Sequence, residues 1–126
     1  MTENEMTYLI RKSIFEVYNV LGPGLLESVY EKALEIELEN NGLAQVPQFP
    51  ISVDYKGISL GLGFRADILV EEKIIIEVKS VVELAPVHHK QLLNYLKLTN
   101  LHLGILVNFN TDNLNADIVR IINGYV

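Results

Sequence analysis

The chain has 126 residues, of which 49% are hydrophobic and 21% charged, proportions typical of a globular protein with its own hydrophobic core. The absence of cysteine excludes a disulfide scaffold, thiol catalysis and thiolate zinc sites, and three histidines leave little room for a histidine zinc site. The net charge of −6 argues against tight non-specific binding to nucleic acid. It does not exclude a metal-dependent enzyme that acts on phosphates, because divalent ions offset acidic ligands locally.

No apolar run is long enough to span a membrane, and the N-terminal segment is acidic and polar, unlike a secretory signal. We therefore expect a cytoplasmic protein that makes no use of a membrane. No repeat, low-complexity tract or linker interrupts the chain, so residues 1–126 are predicted to form a single domain.

The first 42 residues predict two helices. Apolar residues recur at helical spacing over residues 4–20, and Gly22-Pro23-Gly24 then stops the helix. A second helix is predicted from about Leu25 to Asn40, where Asn41-Gly42 supplies a C-cap signal.

Three strands are predicted next, because the apolar period changes to two from Gln45 onward. Pro47 in the first strand indicates an irregular or edge position. The second strand is expected to place five apolar side chains on one face: Leu60, Leu62, Phe64, Ala66 and Ile68. After a turn at residues 71–73, the apolar and β-branched segment Ile74–Val82 predicts a central buried strand.

The rest of the chain predicts a helix and further sheet. Pro86 fits the first turn of a third helix that runs to about Leu98, and Leu103–Phe109 predicts a fourth strand. Residues 116–122 fit either a fifth strand or a short helix. The first three strands should meander antiparallel, and the helical crossover predicts parallel pairing of the third and fourth. The fold class is therefore α/β, with a mixed sheet flanked by helices.

The third strand carries two charges where its neighbours indicate burial. Strand alternation places Glu77 and Lys79 on one face, and a hairpin would bring Asp67 of the preceding strand beside Glu77. Two adjacent carboxylates repel, which raises one pKa or requires a cation, and a hard ion such as Mg²⁺ suits oxygen ligands. The alternative from spacing alone is a buried ion-pair network, Asp67 with Arg65 and Glu77 with Lys79, that has no catalytic role.

Both later helices carry further polar candidates. Glu27 lies in the first turn of the second helix, where compensation of the helix dipole is its ordinary role, and Tyr30 lies one turn later. In the third helix, His88, Gln91 and Tyr95 fall on one side; taken alone, this stripe is better explained as solvated surface.

Several of these segments together resemble the GxxExxY family, a group of small proteins assigned to the PD-(D/E)XK nuclease superfamily. The resemblance spans about residues 18–123. The matching segments are Leu21-Gly22-Pro23-Gly24, Gly24-Leu25-Leu26-Glu27-Ser28-Val29-Tyr30, Phe64-Arg65-Ala66-Asp67, Glu77-Val78-Lys79, Pro86-Val87-His88 and Gln91-Leu92-Leu93-Asn94-Tyr95-Leu96. It implies a restriction-endonuclease-like core (α-β-β-β-α-β) with an extra N-terminal helix. Ala66 stands where many superfamily members have a proline.

The resemblance also implies a role for each matching residue. Asp67 and Glu77 would be the two acids of the superfamily motif and Lys79 its lysine, with Glu27 as a supplementary helix-borne acid. Gln91 and Tyr95 resemble the Gln-x-x-x-Tyr signature of the exonuclease-type branch, which completes the site. One or two Mg²⁺ (or Mn²⁺) ions would bind Asp67, Glu77, Glu27 and the Val78 carbonyl. Three substrate-binding candidates complete the set: Arg65, His88 and Tyr30.

Three functions follow as hypotheses. The first is a metal-dependent nuclease that hydrolyses phosphodiester bonds in nucleic acid, with DNA as the expected substrate. The second is a nuclease-fold module that binds nucleic acid or a protein partner without cutting, as the acidic charge and the lack of a basic arm suggest. The third is the ion-pair network in a protein of unrelated function. A chain this short is barely more than the core, so a homodimer or a partner is left open as a means of holding a duplex.

Overall fold

The structure is a computed structural model that describes residues 1–124, without the side chain of Leu62. Three helices and five strands follow one another as α1 (Glu3–Leu21), α2 (Glu27–Asn40), β1 (Gln45–Tyr55), β2 (Ile58–Val70), β3 (Ile74–Lys79), α3 (Pro86–Thr99), β4 (Leu103–Asn108) and β5 (Ile118–Ile122). This order confirms the predicted α/β class. None of the helices described is long and apolar enough to cross a membrane.

Local sequence explains where the helices begin and end. The Thr2 hydroxyl accepts a hydrogen bond from the Glu5 amide while the Glu5 carboxylate accepts one from the Thr2 amide, a reciprocal cap that starts α1. The chain leaves α1 at Gly22, whose φ of 68° favours glycine. Helix α3 starts at Pro86, and the His88 ring accepts a hydrogen bond from the Ala85 amide.

The five strands form one mixed sheet in the order β1-β2-β3-β4-β5. β1, β2 and β3 pair antiparallel, and β3 pairs parallel with β4 across the α3 crossover, as predicted. The ambiguous segment 116–122 is resolved into a 3-10 turn at Leu114–Asp117 followed by β5, which pairs antiparallel with β4. Both sheet and helix-like features of the segment were therefore present.

The sheet separates two hydrophobic clusters. One lies against α1 and α2 and contains Ile74, Ile76 and Val78 of β3. The other lies against α3 and contains Ile75 together with Leu92 and Leu96. Because successive β3 side chains enter opposite clusters, this strand is buried on both faces, as its sequence predicts.

The predicted common face of β2 is wrong at Ile68. Ala66 packs into the α3-side cluster, whereas Ile68 packs into the cluster beneath α1 and α2. The exchange occurs around Asp67, opposite the part of β1 where Gln48 has a φ of 50°. A left-handed residue inside a strand twists it locally, so the alternation of faces breaks at this point.

Strand β3 is shorter than predicted, ending at Lys79 instead of Val82. The amide of Ser80 donates to Glu27 Oε2 at 3.1 Å, and the amide of Val81 donates to Asn108 Oδ1 at 3.0 Å. Side chains thus replace the ladder at this end, which the apolar composition of Val81 and Val82 did not reveal.

Candidate active site

The candidate site lies where β2 and β3 separate. The last ladder pair at this end of the two strands is Ile68 with Ile76, so Asp67 and Glu77 come directly beyond it. The Asp67 amide donates to Glu77 Oε1 at 3.3 Å, and the Val78 amide donates to Asp67 Oδ2 at 2.7 Å. The predicted juxtaposition of the two acids is therefore confirmed.

Glu77 is an ionisable side chain in the protein core, with only 3% of its surface exposed. Burial, followed by the neighbouring charge of Asp67 and its hydrogen bond, raises the pKa of Glu77 to about 9 from 4.5, a rise that Lys79 opposes only in part. At neutral pH the unliganded site therefore favours a protonated Glu77.

Helix α2 brings two more carboxylates toward these acids. Glu27 is held by the Ser80 amide, and Ser80 Oγ in turn donates to the Leu25 carbonyl at 2.6 Å, which ties the start of α2 to the end of β3. One turn later, half-buried Glu31 accepts a hydrogen bond from Gln48 Nε2 at 3.2 Å. We call Glu27, Glu31, Asp67 and Glu77 the acid cluster.

Glu31 is the member of the acid cluster that sequence reasoning missed. Burial raises its pKa to about 8, assisted by a hydrogen bond with the Asp67 carboxyl and by the charges of Asp67, Glu27 and Glu35. On the sequence, Glu31 looks like part of the wet face of α2. The available signal was its position four residues after Glu27, which places both side chains on one helix face.

Helix α3 contributes the other side of the site. Gln91 Nε2 donates to the Tyr95 hydroxyl at 3.2 Å, so the two signature residues contact each other. Tyr95 is only 6% exposed, and burial together with the charges of Glu77 and Asp67 raises its pKa. The interpretation of this stripe as solvated surface is therefore wrong for Tyr95.

The basic candidates do not neutralise the acids. Among the described residues, neither Arg65 nor Lys79 forms a salt bridge within 4.0 Å of a carboxylate; the ion pairs present join Glu3 to His102 and Arg120, and Lys32 to Glu35. Arg65 is exposed and Lys79 is half-buried. The alternative of a buried ion-pair network thus finds no support in this part of the chain.

Tyr30 has a structural position that contradicts its predicted contact with substrate. The side chain is fully buried and stacks on Phe109, with ring centroids 4.5 Å apart. Its hydroxyl donates to the Gly22 carbonyl at 2.5 Å and accepts from the Leu25 amide at 3.1 Å. The tyrosine of the motif therefore fixes the loop that places Glu27.

The donor set fits a hard divalent cation. All members of the acid cluster offer carboxylate oxygens, and the raised pKa of Glu77 and of Glu31 shows that the site holds more potential negative charge than its surroundings neutralise. In residues 1–124 no three His, Cys, Asp or Glu side chains are already gathered closely enough to hold a metal. A cation would therefore rely on two carboxylates at a time, supplemented by backbone carbonyl, water or substrate oxygens.

Comparison with known proteins agrees with this arrangement. The model of a family described as the PD-(D/E)XK nuclease superfamily matches residues 4–121. The crystal structure of SSO0001 is similar in fold, with a TM-score of 0.58 and 19% identity over 100% of this chain and 80% of that one. The search of curated proteins found no match. With nearly its whole length matched, the chain belongs to the PD-(D/E)XK nuclease superfamily.

Proposed function

We propose that the protein is a metal-dependent nuclease of the GxxExxY type that hydrolyses phosphodiester bonds in nucleic acid, with DNA as the expected substrate. The observation that carries the proposal is the pair Asp67 and Glu77, which meet at adjacent strand ends without a cationic side chain to neutralise them. A buried, uncompensated pair of acids is costly in free energy, and a binding site for a cation accounts for that cost.

Asp67, Glu77 and the Val78 carbonyl would hold Mg²⁺ or Mn²⁺, with Glu27 as a further ligand. Such an ion lowers the pKa of bound water and offsets charge on a phosphate. Glu27 is already positioned for this by the Ser80 amide. Glu31, in contact with Asp67, would share its proton or give it up as the charge at the site changes.

The remaining residues act on the substrate. Lys79 extends from the same strand as Glu77 and would stabilise negative charge on the scissile phosphate. Gln91 orients the Tyr95 hydroxyl, which points the pair toward the acid cluster. Arg65 is exposed and would contact the phosphate backbone. The His88 ring caps α3 through the Ala85 amide, so any substrate contact would come from its other nitrogen.

A cleavage assay tests the proposal. Labelled single- and double-stranded DNA and RNA would be incubated with Mg²⁺ or Mn²⁺ and the wild-type protein, Asp67→Asn or Asp54→Asn. Asp54 is exposed on β1, so this control makes the same chemical change away from the site. We expect cleavage by wild type and by Asp54→Asn but not by Asp67→Asn. Cleavage that survives Asp67→Asn, or none by wild type on any substrate, would contradict the proposal.

The second candidate is a module that binds nucleic acid or a protein without cutting. Two observations favour it: the net charge of −6, and the lack of a preformed three-ligand group among residues 1–124. It predicts binding that is equal with and without metal, and no cleavage. The single domain, the cytoplasmic location and a homodimer or protein partner stay predictions.

A further inference from the structure

A groove next to the acid cluster has a composition unlike the rest of the protein. It encloses about 440 Å³ between α3 and the β1–β2 hairpin, a volume within the range of about 300–1,000 Å³ common for ligand pockets. Its walls are largely apolar and include exposed side chains, with Phe64 49%, Val87 64% and Leu98 42% accessible. We call this the α3 groove.

The α3 groove has a charge opposite to that of the whole chain. Lys90 and Lys97 line it, both exposed, and none of the described lining residues is acidic. Among the described residues, neither lysine lies within 4.0 Å of a carboxylate. In a protein with 16 acidic and 10 basic residues, this is a local site of positive charge that complements an anion.

The α3 groove leads to the acid cluster through two shared residues. Gln91 and Tyr95 both line it, and the charges of Glu77 and Asp67 act on Tyr95 from the other side. The ring of Phe64 lies 5.6 Å from the ring of Tyr95, tilted by 39°. A ligand in the groove would therefore contact an aromatic wall that continues into the proposed catalytic site.

We infer that the α3 groove binds an unpaired segment of a nucleic-acid strand, with a base against Phe64 and the phosphates near Lys90 and Lys97. The inference rests on the proposed function and deepens it by naming the substrate form. A half-exposed aromatic ring stacks on the face of a base, and lysines follow a backbone, the combination by which single strands are bound. A duplex hides its base faces within its own stack and cannot use the ring in this way.

Binding without divalent metal tests the inference separately from cleavage. Fluorescence anisotropy of a labelled oligothymidine single strand and of a blunt duplex, both in EDTA at low salt, would be measured for the wild type. Phe64→Ala and Phe64→Leu remove the aromatic face, the second with little loss of apolar area. Tyr55→Ala is the matched control, because Tyr55 is an exposed aromatic residue on the same hairpin outside the groove.

We expect the single strand to bind more tightly than the duplex, and both Phe64 variants to weaken single-strand binding about tenfold. Tyr55→Ala should bind as wild type does. The double variant Lys90→Gln/Lys97→Gln should lower the slope of log affinity against log salt by about 1.4, at roughly 0.7 for each phosphate contact. Lys73→Gln, at the distant β2–β3 turn, is the control for charge and should lower it less.

Three results would overturn the inference: no single-strand binding, equal or tighter duplex binding, or Phe64 variants that bind like Tyr55→Ala. The last is also expected if the groove takes a peptide instead. Tight, Phe64-dependent single-strand binding without cleavage in any metal would refute the proposed nuclease function and leave this inference standing. Duplex cleavage with no effect of Phe64 would refute only the inference.

Discussion

Strands β3 and β4 are parallel neighbours of six residues, and each carries a buried polar side chain near the same end. The amide of Asn108 in β4 is satisfied by the protein itself: its oxygen accepts from the amides of Val81 and Asn110, and its nitrogen donates to the Val81 carbonyl at 3.0 Å. Glu77 in β3 meets another carboxylate instead. One buried polar group therefore completes the fold, while the other leaves a charge for a ligand to neutralise.

The largest expected effect is on catalysis at Glu77. Glu77→Gln keeps the shape of the side chain but removes the charge, so metal-dependent cleavage should fall at least about a hundredfold, the equivalent of several kcal/mol of charge stabilisation. Single-turnover rates at saturating Mn²⁺ measure this. A Glu77→Gln enzyme that cuts at the wild-type rate would show that Glu77, like Asn108, is only a structural residue.

The next effect is on stability at Asn108. Asn108→Asp retains the size but loses the donor to the Val81 carbonyl, and it buries a charge, so the free energy of unfolding should fall by about 2–4 kcal/mol. Urea unfolding measures this, with Asn94→Asp, on an exposed position of α3, expected within about 0.5 kcal/mol of wild type. An unchanged midpoint for Asn108→Asp would remove the contrast between the two strands.

The pH dependence of stability separates the strands further. Because the pKa of Glu77 rises from 4.5 to about 9 on folding, the folded protein binds more protons than the unfolded chain between these values. Metal-free stability should therefore be highest near pH 5 and fall as pH rises toward 9, by at most about 1.4 kcal/mol per pH unit for one proton. Glu31 adds a change of the same sign up to about pH 8.

Urea unfolding in EDTA at pH 5, 7 and 8.5 measures this slope, and Glu77→Gln should flatten it and raise stability at pH 8.5. Added Mg²⁺ should offset the loss at high pH in wild type but not in this variant. A wild-type protein that gains stability between pH 5 and 8.5 without metal would contradict the raised pKa.

The smallest effect concerns Tyr30. Tyr30→Phe removes the bonds to Gly22 and Leu25 while the stacking on Phe109 stays, so the free energy of unfolding should fall by about 1–2 kcal/mol. Anisotropy with the oligothymidine strand should give unchanged affinity. Weakened binding with normal stability would restore the predicted substrate contact.

The sequence alone was sufficient for the element order and for the central pair of acids. Alternating apolar residues predicted the strands, and the charges of Glu77 and Lys79 within a β-branched run marked the site. It was not sufficient where distant residues decide the outcome. The end of β3 depends on Glu27 and Asn108, and the position of Glu31 beside Asp67 depends on the packing of α2 over β2.

Calorimetric titration of Mn²⁺ into the metal-free protein, for wild type, Glu77→Gln and Asp54→Asn, tests the central claim most directly. The account predicts saturable binding by wild type and by Asp54→Asn, and its loss in Glu77→Gln. Identical binding curves for all three proteins, or no binding by wild type with or without the oligothymidine strand, would contradict the claim that the acid cluster is a cation site.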